Sequence, residues 1–149
     1  MEINGIAHVI LSVREMARAR LFYGPLLEQL GLTRVVDTPE YLYFVGGRTA
    51  IGLRPVDPQW RDEPFVQSRS GLHHLCFRAR SRADVDAVHA LLLSLGAAIV
   101  HPPQEAGWVP GYYSVLFEDP DGIRLEVNYV PGKGVFDAGV QRRDQCDPR

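Results

Sequence analysis

Apolar residues alternate with other residues along several short stretches of the chain, a pattern typical of β-strands with one buried face. In 5–13, for example, Ala7, Val9, Leu11 and Val13 share one side of the stretch. The period then changes to that of a helix, with Phe22 among its apolar positions. The pattern of the first half predicts a strand at 5–13, a helix at 15–30, and strands at 32–36, 41–46 and 49–54.

The second half repeats this order of elements after a polar, proline-containing stretch. The pattern predicts a strand at 71–79, a helix at 82–95, a short strand at 97–101, a Pro/Gly-rich loop at 102–112, and a final hairpin at 113–118 and 123–129. We therefore divide the chain into a first module (4–54), a linker (55–70), a second module (71–130) and a polar C-terminal tail (131–149).

The two halves also resemble each other in sequence. Gly5-Ile6-Ala7-His8 aligns with Gly71-Leu72-His73-His74, and Ile51-Gly52-Leu53 aligns with Leu125-Glu126-Val127. One βαβββ unit cannot bury its small sheet alone. We predict an α+β fold in which two paired βαβββ modules form a curved, open, barrel-like mixed sheet with the helices outside.

Three residues with metal-binding side chains fall on the face opposite the apolar one. His8 and His74 occupy equivalent positions of the repeat, and Glu126 is equivalent to Gly52. Pairing the modules would bring two imidazoles and one carboxylate together, with the fourth corner left free by Gly52. Such a set suits one divalent metal ion per site, and Fe, Mn, Zn or Ni could each be that ion.

Each of these residues also has an ordinary structural interpretation, because a single strand histidine is more often part of the core than a ligand. Tyr113 precedes the final hairpin and is our candidate catalytic residue, as an acid or hydrogen-bond donor. A half-buried strand tyrosine is the alternative. Tyr112 and Trp108 lie on the preceding loop and can close over a ligand or anchor the loop.

Composition narrows the possible partners. The chain has 149 residues, of which 46% are hydrophobic, and a net charge of −2. This balance gives no electrostatic signature for nucleic acid or an anionic membrane surface. No apolar run approaches a membrane span and no signal-like start is present, so we expect a cytoplasmic protein with Cys76 and Cys146 reduced. The expected partner is a small-molecule substrate.

Several motifs resemble the vicinal oxygen chelate superfamily, the group of glyoxalases, bleomycin-resistance proteins and extradiol dioxygenases. They are Gly5-Ile6-Ala7-His8, Phe22-Tyr23 before Leu30-Gly31, His74 at the start of the second half, and Asp119-Pro120-Asp121-Gly122 before Leu125-Glu126. The resemblance covers about residues 4–130. It implies paired βαβββ modules, a homodimer, and a metal held by His8, His74 and Glu126.

The resemblance leaves the reaction open. Lactoylglutathione lyases and methylmalonyl-CoA epimerases use a fourth protein ligand at the position of Gly52, and fosfomycin-modifying members need a cationic pocket that 102–112 lacks. We therefore slightly favour dioxygenase-like over lyase- or isomerase-like chemistry. The alternative is a metal-free protein that binds or sequesters a small molecule, as bleomycin-resistance proteins do. Whether the modules pair within one chain or between subunits also stays open.

Overall fold

A computed structural model describes residues 2–3 and 5–132 of the chain. The first module contains β1 (Val9–Val13), α1 (Met16–Gln29), β2 (Thr33–Thr38), β3 (Tyr41–Gly46) and β4 (Thr49–Pro55). One 3₁₀ turn (Pro58–Trp60) follows. The second module contains β5 (Leu75–Arg78), α2 (Arg82–Ser94), β6 (Ala98–Glu105), β7 (Tyr113–Glu118) and β8 (Arg124–Tyr129).

The modules have the same sheet topology, which confirms the predicted fold class. The strand order is β1-β4-β3-β2 in one sheet and β5-β8-β7-β6 in the other. In each sheet the first strand is parallel to the last, and the other pairs are antiparallel. The described residues form two separate four-stranded sheets, so the single wide sheet that we expected is not continuous within one chain. β1 and β5 are edge strands, each with one unpaired side.

Helix α1 and the turn before β8 hold the two modules together. The ring of Phe22 lies 6.3 Å from that of Phe117 on β7. The hydroxyl of Tyr23, which is fully buried, donates a hydrogen bond of 2.8 Å to Asp119 Oδ2. The backbone N–H of Arg14 donates to Asp121 Oδ2 at 2.6 Å. The apolar face of α1 therefore packs between the modules as part of one shared core.

Several strands differ from their predicted bounds. β6 continues through Pro102 and Pro103 into the predicted loop 102–112. Proline lacks an N–H donor and is tolerated in a strand at a sheet edge or bulge, and β6 is an edge strand whose register shifts between His101 and Gln104. β1 begins only at Val9 and β5 only at Leu75, so the strands predicted at 5–13 and 71–79 are both shorter than expected.

The predicted tail from 133 onward, with Cys146, lies outside the described residues. Among the described helices, none combines the length and the apolar character that crossing a membrane requires.

Candidate functional site

The turn before β8 fixes where the carboxylate of Glu126 lies. Asp119 Oδ1 accepts hydrogen bonds from the backbone N–H groups of Asp121 and Ile123, at 2.8 and 2.7 Å. Gly122 has a φ of 87°, which glycine adopts without a steric penalty. This rigid turn sets the alternation of β8, in which Leu125 and Val127 are fully buried in the core. Glu126 therefore points to the opposite face of the sheet.

Glu126 is a buried carboxylate that contacts two polar side chains. Its exposed fraction is only 8%. The hydroxyl of Tyr112 donates a hydrogen bond of 2.6 Å to Oε1. The other oxygen, Oε2, lies 3.4 Å from Nε2 of His74. Tyr112 therefore holds one carboxylate oxygen while the other faces the imidazole.

The side chain of Tyr112 keeps its proton in this position. Desolvation, followed by the hydrogen bond to Glu126, raises the pKa of Tyr112. Since the ordinary pKa of tyrosine is already about 10, the phenol is neutral at physiological pH and donates rather than accepts. The sequence indicated that Tyr112 lies on the loop before the final hairpin and closes over a ligand or anchors the loop, but it did not indicate this contact with Glu126.

Cys76 lies beside Glu126 in the parallel pair of β5 and β8. Desolvation, followed by the charge of Glu126, raises the pKa of the Cys76 thiol. Because Cys76 is exposed in the single chain, its desolvation there is limited. The charge of the neighbouring Glu126 is therefore the better supported reason for the raised pKa. The thiol is therefore protonated at neutral pH and is not an activated nucleophile.

A second hydrogen-bonded chain reaches His74 from the linker. His73 Nδ1 lies 2.7 Å from His74 Nδ1, and the amide nitrogen of Gln67 lies 2.8 Å from His73 Nε2. Only one of two hydrogen-bonded Nδ1 atoms can carry the proton, so the tautomer of His73 is linked to that of His74. His73 is exposed in the single chain and lies within hydrogen-bond distance of the neighbouring histidine.

His8 and Gly52 belong to the other sheet. His8 is exposed and immediately precedes β1. Two residues later, Ile10 pairs with Gly52, just as Cys76 pairs with Glu126 two residues after His74. The register therefore makes Gly52 and Glu126 equivalent. Within the described residues of one chain, however, no three potential ligands come together, so His8 does not join His74 and Glu126 there.

Tyr113, the predicted catalytic residue, lies on the other side of its strand. Its hydroxyl donates a hydrogen bond of 2.7 Å to Asp86 on α2, and the guanidinium of Arg82 lies 4.2 Å above its ring centre. The physical reason is strand parity, because Tyr113 shares a side of β7 with the buried residues Val115 and Phe117. Tyr112 rather than Tyr113 contacts Glu126.

His74 and Glu126 fit a divalent metal. Metal–ligand bonds of about 2.1 Å place two ligands of one ion about 3 Å apart, close to the separation of Nε2 and Oε2. A nine-tenths buried carboxylate also requires a cation or hydrogen-bond donors as partners, and Tyr112 bonds only one of the oxygens of Glu126. Imidazole and carboxylate together suit Fe, Mn, Zn or Ni.

A cavity of about 370 Å³ lies away from this site, between the linker and the turn before β8. The charged side chains that line it are paired with one another: Arg14 with Asp121, and Arg69 with Glu63. These pairs connect parts of the chain, which is a structural role.

Comparison with known proteins identifies the family. The model of the Glyoxalase/Bleomycin resistance protein/Dioxygenase superfamily matches residues 5–127. The chain belongs to this superfamily, and the resemblance noted in the sequence is confirmed. Among curated proteins, it is 27% identical to the uncharacterized protein YqjT of Bacillus subtilis over 122 residues, covering 80% of this chain and 94% of YqjT. It is 31% identical to the metallothiol transferase FosB of Shouchella clausii over 128 residues, covering 85% and 80%.

Solved structures agree with this assignment. A putative glyoxalase from Bacillus halodurans superposes with a TM-score of 0.76 at 27% identity, covering 85% of this chain and 96% of that one. A lactoylglutathione lyase from Agrobacterium tumefaciens superposes with a TM-score of 0.62 at 25% identity, covering 87% and 96%.

Proposed function

We propose that the protein is a divalent-metal-dependent enzyme whose small substrate chelates the metal through two oxygens. The observation that carries the proposal is the orientation of the buried Glu126 carboxylate, with Oε2 turned toward Nε2 of His74. His8, His74 and Glu126 would hold the metal. Bound there, a divalent ion would act as a Lewis acid that polarises a coordinated oxygen of the substrate.

The residues around the ligands have separate tasks in this proposal. Tyr112 fixes Glu126 by donating its one O–H to Oε1, and the lone pairs of the phenol oxygen can accept a hydrogen bond from substrate. With Nε2 of His74 facing the metal, its Nδ1–H would donate to Nδ1 of His73, which orients the imidazole. Three protein ligands leave positions open for a chelating substrate.

The site further requires a second copy of the chain. His8 stands beside the edge strand β1, and His74 stands beside the edge strand β5. Apolar side chains near His8 are also exposed in the single chain, among them Ile6 at 65%. A homodimer in which β1 of one chain lies beside β5 of its partner would cover them and bring His8 to the other two ligands.

Two reaction classes fit three ligands with open positions. One is activation of dioxygen by Fe(II) next to a chelated substrate, which we continue to favour slightly. The other is addition of a nucleophile to a metal-bound substrate. This class is supported by the 31% identity to FosB, a metallothiol transferase. The first class consumes dioxygen and the second consumes a thiol. Measuring the consumption of dioxygen or of thiol during turnover therefore distinguishes the two.

Metal binding tests the proposal. The full-length protein is loaded anaerobically with Fe(II), Mn(II), Ni(II) or Zn(II) in turn, desalted, and analysed by mass spectrometry. We expect about one metal per chain, lost in Glu126→Gln. The matched control is Glu118→Gln, which removes a carboxylate that pairs with Arg124 on the neighbouring strand. If the unsubstituted protein retains no metal, the enzyme proposal fails and the metal-free binding protein replaces it.

A further inference from the structure

The fourth corner of the site, at Gly52, is built differently from the corner at Glu126. Ile10, Gly52 and Tyr43 form one row across three neighbouring strands of the first module. The equivalent row of the second module contains Cys76, Glu126 and Leu116. Gly52 thus stands where the second module has a carboxylate. In this row, one large side chain lies on each side of the glycine, Ile10 on β1 and Tyr43 on β3.

These side chains fill the space in front of Gly52. A Cβ atom at this position would lie 2.4 Å from Cδ1 of Ile10, 2.9 Å from the hydroxyl of Tyr41 and 3.0 Å from Cδ2 of Tyr43. All three distances are shorter than normal contacts, so the close approach of these side chains depends on glycine. The corner that the sequence left free is therefore closed by a surface of apolar and aromatic groups.

Two stacked rings form most of this surface. The ring centres of Tyr41 and Tyr43 lie 5.7 Å apart with an angle of 18° between the planes. Both tyrosines are half-buried, and Ile10 is 37% exposed. We call Ile10, Tyr41 and Tyr43 the tyrosine platform.

The platform begins with Ile10 on β1, the strand that follows His8, and continues across β4 to Tyr41 and Tyr43 on β3. Ile10 is two residues beyond His8, which corresponds to about 7 Å along an extended chain. A substrate chelated beside His8 would therefore extend over the platform rather than toward a further protein ligand. Flat aromatic surfaces favour stacking with planar apolar groups over contact with small hydrophilic ones.

We infer that the tyrosine platform binds the planar, apolar part of the substrate. The substrate class is then an aryl or conjugated acyl compound whose two adjacent oxygens chelate the metal. This inference rests on the proposed function, because the chelating oxygens need a metal at His8.

Two hydroxamates test the inference on the full-length, Ni(II)-loaded protein. Acetohydroxamate and benzohydroxamate chelate through the same two oxygens, but one has a methyl group where the other has a phenyl ring. We expect benzohydroxamate to bind at least tenfold more tightly by calorimetry. In Tyr41→Ser/Tyr43→Ser the two affinities should become equal, because only the contact with the ring is lost.

Gly52→Ala provides an independent variant, since its added Cβ displaces the platform without removing a ring. It too should reduce the preference for the phenyl compound while leaving acetohydroxamate binding unchanged. The control is Tyr113→Ser, which removes a tyrosine from the helix side of the other sheet and should keep the preference.

The outcomes separate this inference from the proposed function. If the protein holds nickel and binds both hydroxamates equally, the platform is not a substrate subsite although the metal site stands. A preference that survives in both Gly52→Ala and the double variant also overturns the inference. If the protein holds no metal and binds neither compound, the proposed function itself fails.

Discussion

Oε2 of Glu126, on β8, lies 3.4 Å from Nε2 of His74, which immediately precedes β5. The parallel pairing of β5 with β8 produces this relationship, since it places Cys76 opposite Glu126 and His74 just beyond. Tyr112 holds the other oxygen of the carboxylate. Two of the three proposed metal ligands therefore already lie together within a single chain.

Removing the hydroxyl of Tyr112 should weaken metal binding. In Tyr112→Phe, Oε1 of Glu126 loses the donor that fixes the orientation of the carboxylate. Partners of this kind typically contribute about 10- to 100-fold in metal affinity. We expect a loss of about tenfold, measured by competition with a chelating dye.

The neighbouring tyrosine is the matched control for that substitution. Tyr113→Phe also removes a hydroxyl, but from a hydrogen bond to Asp86 on α2. Its metal affinity should equal that of the unsubstituted protein. Equal losses in the two variants would show that the effect does not arise from the contact with Glu126.

His73 should support metal binding without being a ligand. In His73→Phe, Nδ1 of His74 loses its hydrogen-bond partner, so the imidazole is less well oriented. We expect the metal affinity to fall about tenfold while the stoichiometry stays the same. His89→Phe, on α2, is the control. Loss of the metal altogether would instead make His73 a ligand, and an unchanged affinity would remove it from the site.

The buried hydrogen bond between Tyr23 and Asp119 should stabilise the contact between modules. At pH 8, Tyr23→Phe should lower the free energy of unfolding by about 2 kcal/mol, as expected for a lost hydrogen bond to a charged group. Urea unfolding measures this difference, with Tyr129→Phe as the control.

The pH dependence of this effect has a defined sign. Burial, and then the charge of Asp119, raises the pKa of Tyr23 well above 10.0. The contribution of Tyr23 to stability is therefore complete below pH 10 and is lost as the pH rises above it, because the unfolded chain ionises first. The stability difference between Tyr23→Phe and the unsubstituted protein should shrink at pH 10.5. A constant difference would contradict this account.

Sequence patterns predicted the fold because they are local and repeated. Alternation in β8 and the turn at Asp119–Gly122 predicted which face Glu126 occupies, and the repeat predicted that it is equivalent to Gly52. The same parity rule places Tyr112 with Ser114 and Leu116 on the Glu126 side of β7, and Tyr113 on the core side. Applied to these two tyrosines, the rule identifies Tyr112 as the one that contacts Glu126.

Other features depended on contacts that no local pattern contains. Gln67 lies in the linker, and its hydrogen bond to His73 follows only from how that segment folds back. The closed corner at Gly52 depends on the rotamers of Ile10, Tyr41 and Tyr43. The contact between the modules depends on α1, which packs on its own sheet and also reaches Phe117 and Asp119 of the second module.

The most direct test of the central claim asks whether one site takes ligands from two chains. Differently tagged His8→Ala and Glu126→Ala chains are co-expressed, the mixed dimer is purified through both tags, and its metal content is measured after loading. Neither variant alone should retain metal. If His8 serves the His74 and Glu126 of a partner, the mixed dimer contains one intact site and should bind one metal per dimer. A mixed dimer that binds none, although the unsubstituted protein binds one per chain, would contradict the shared site.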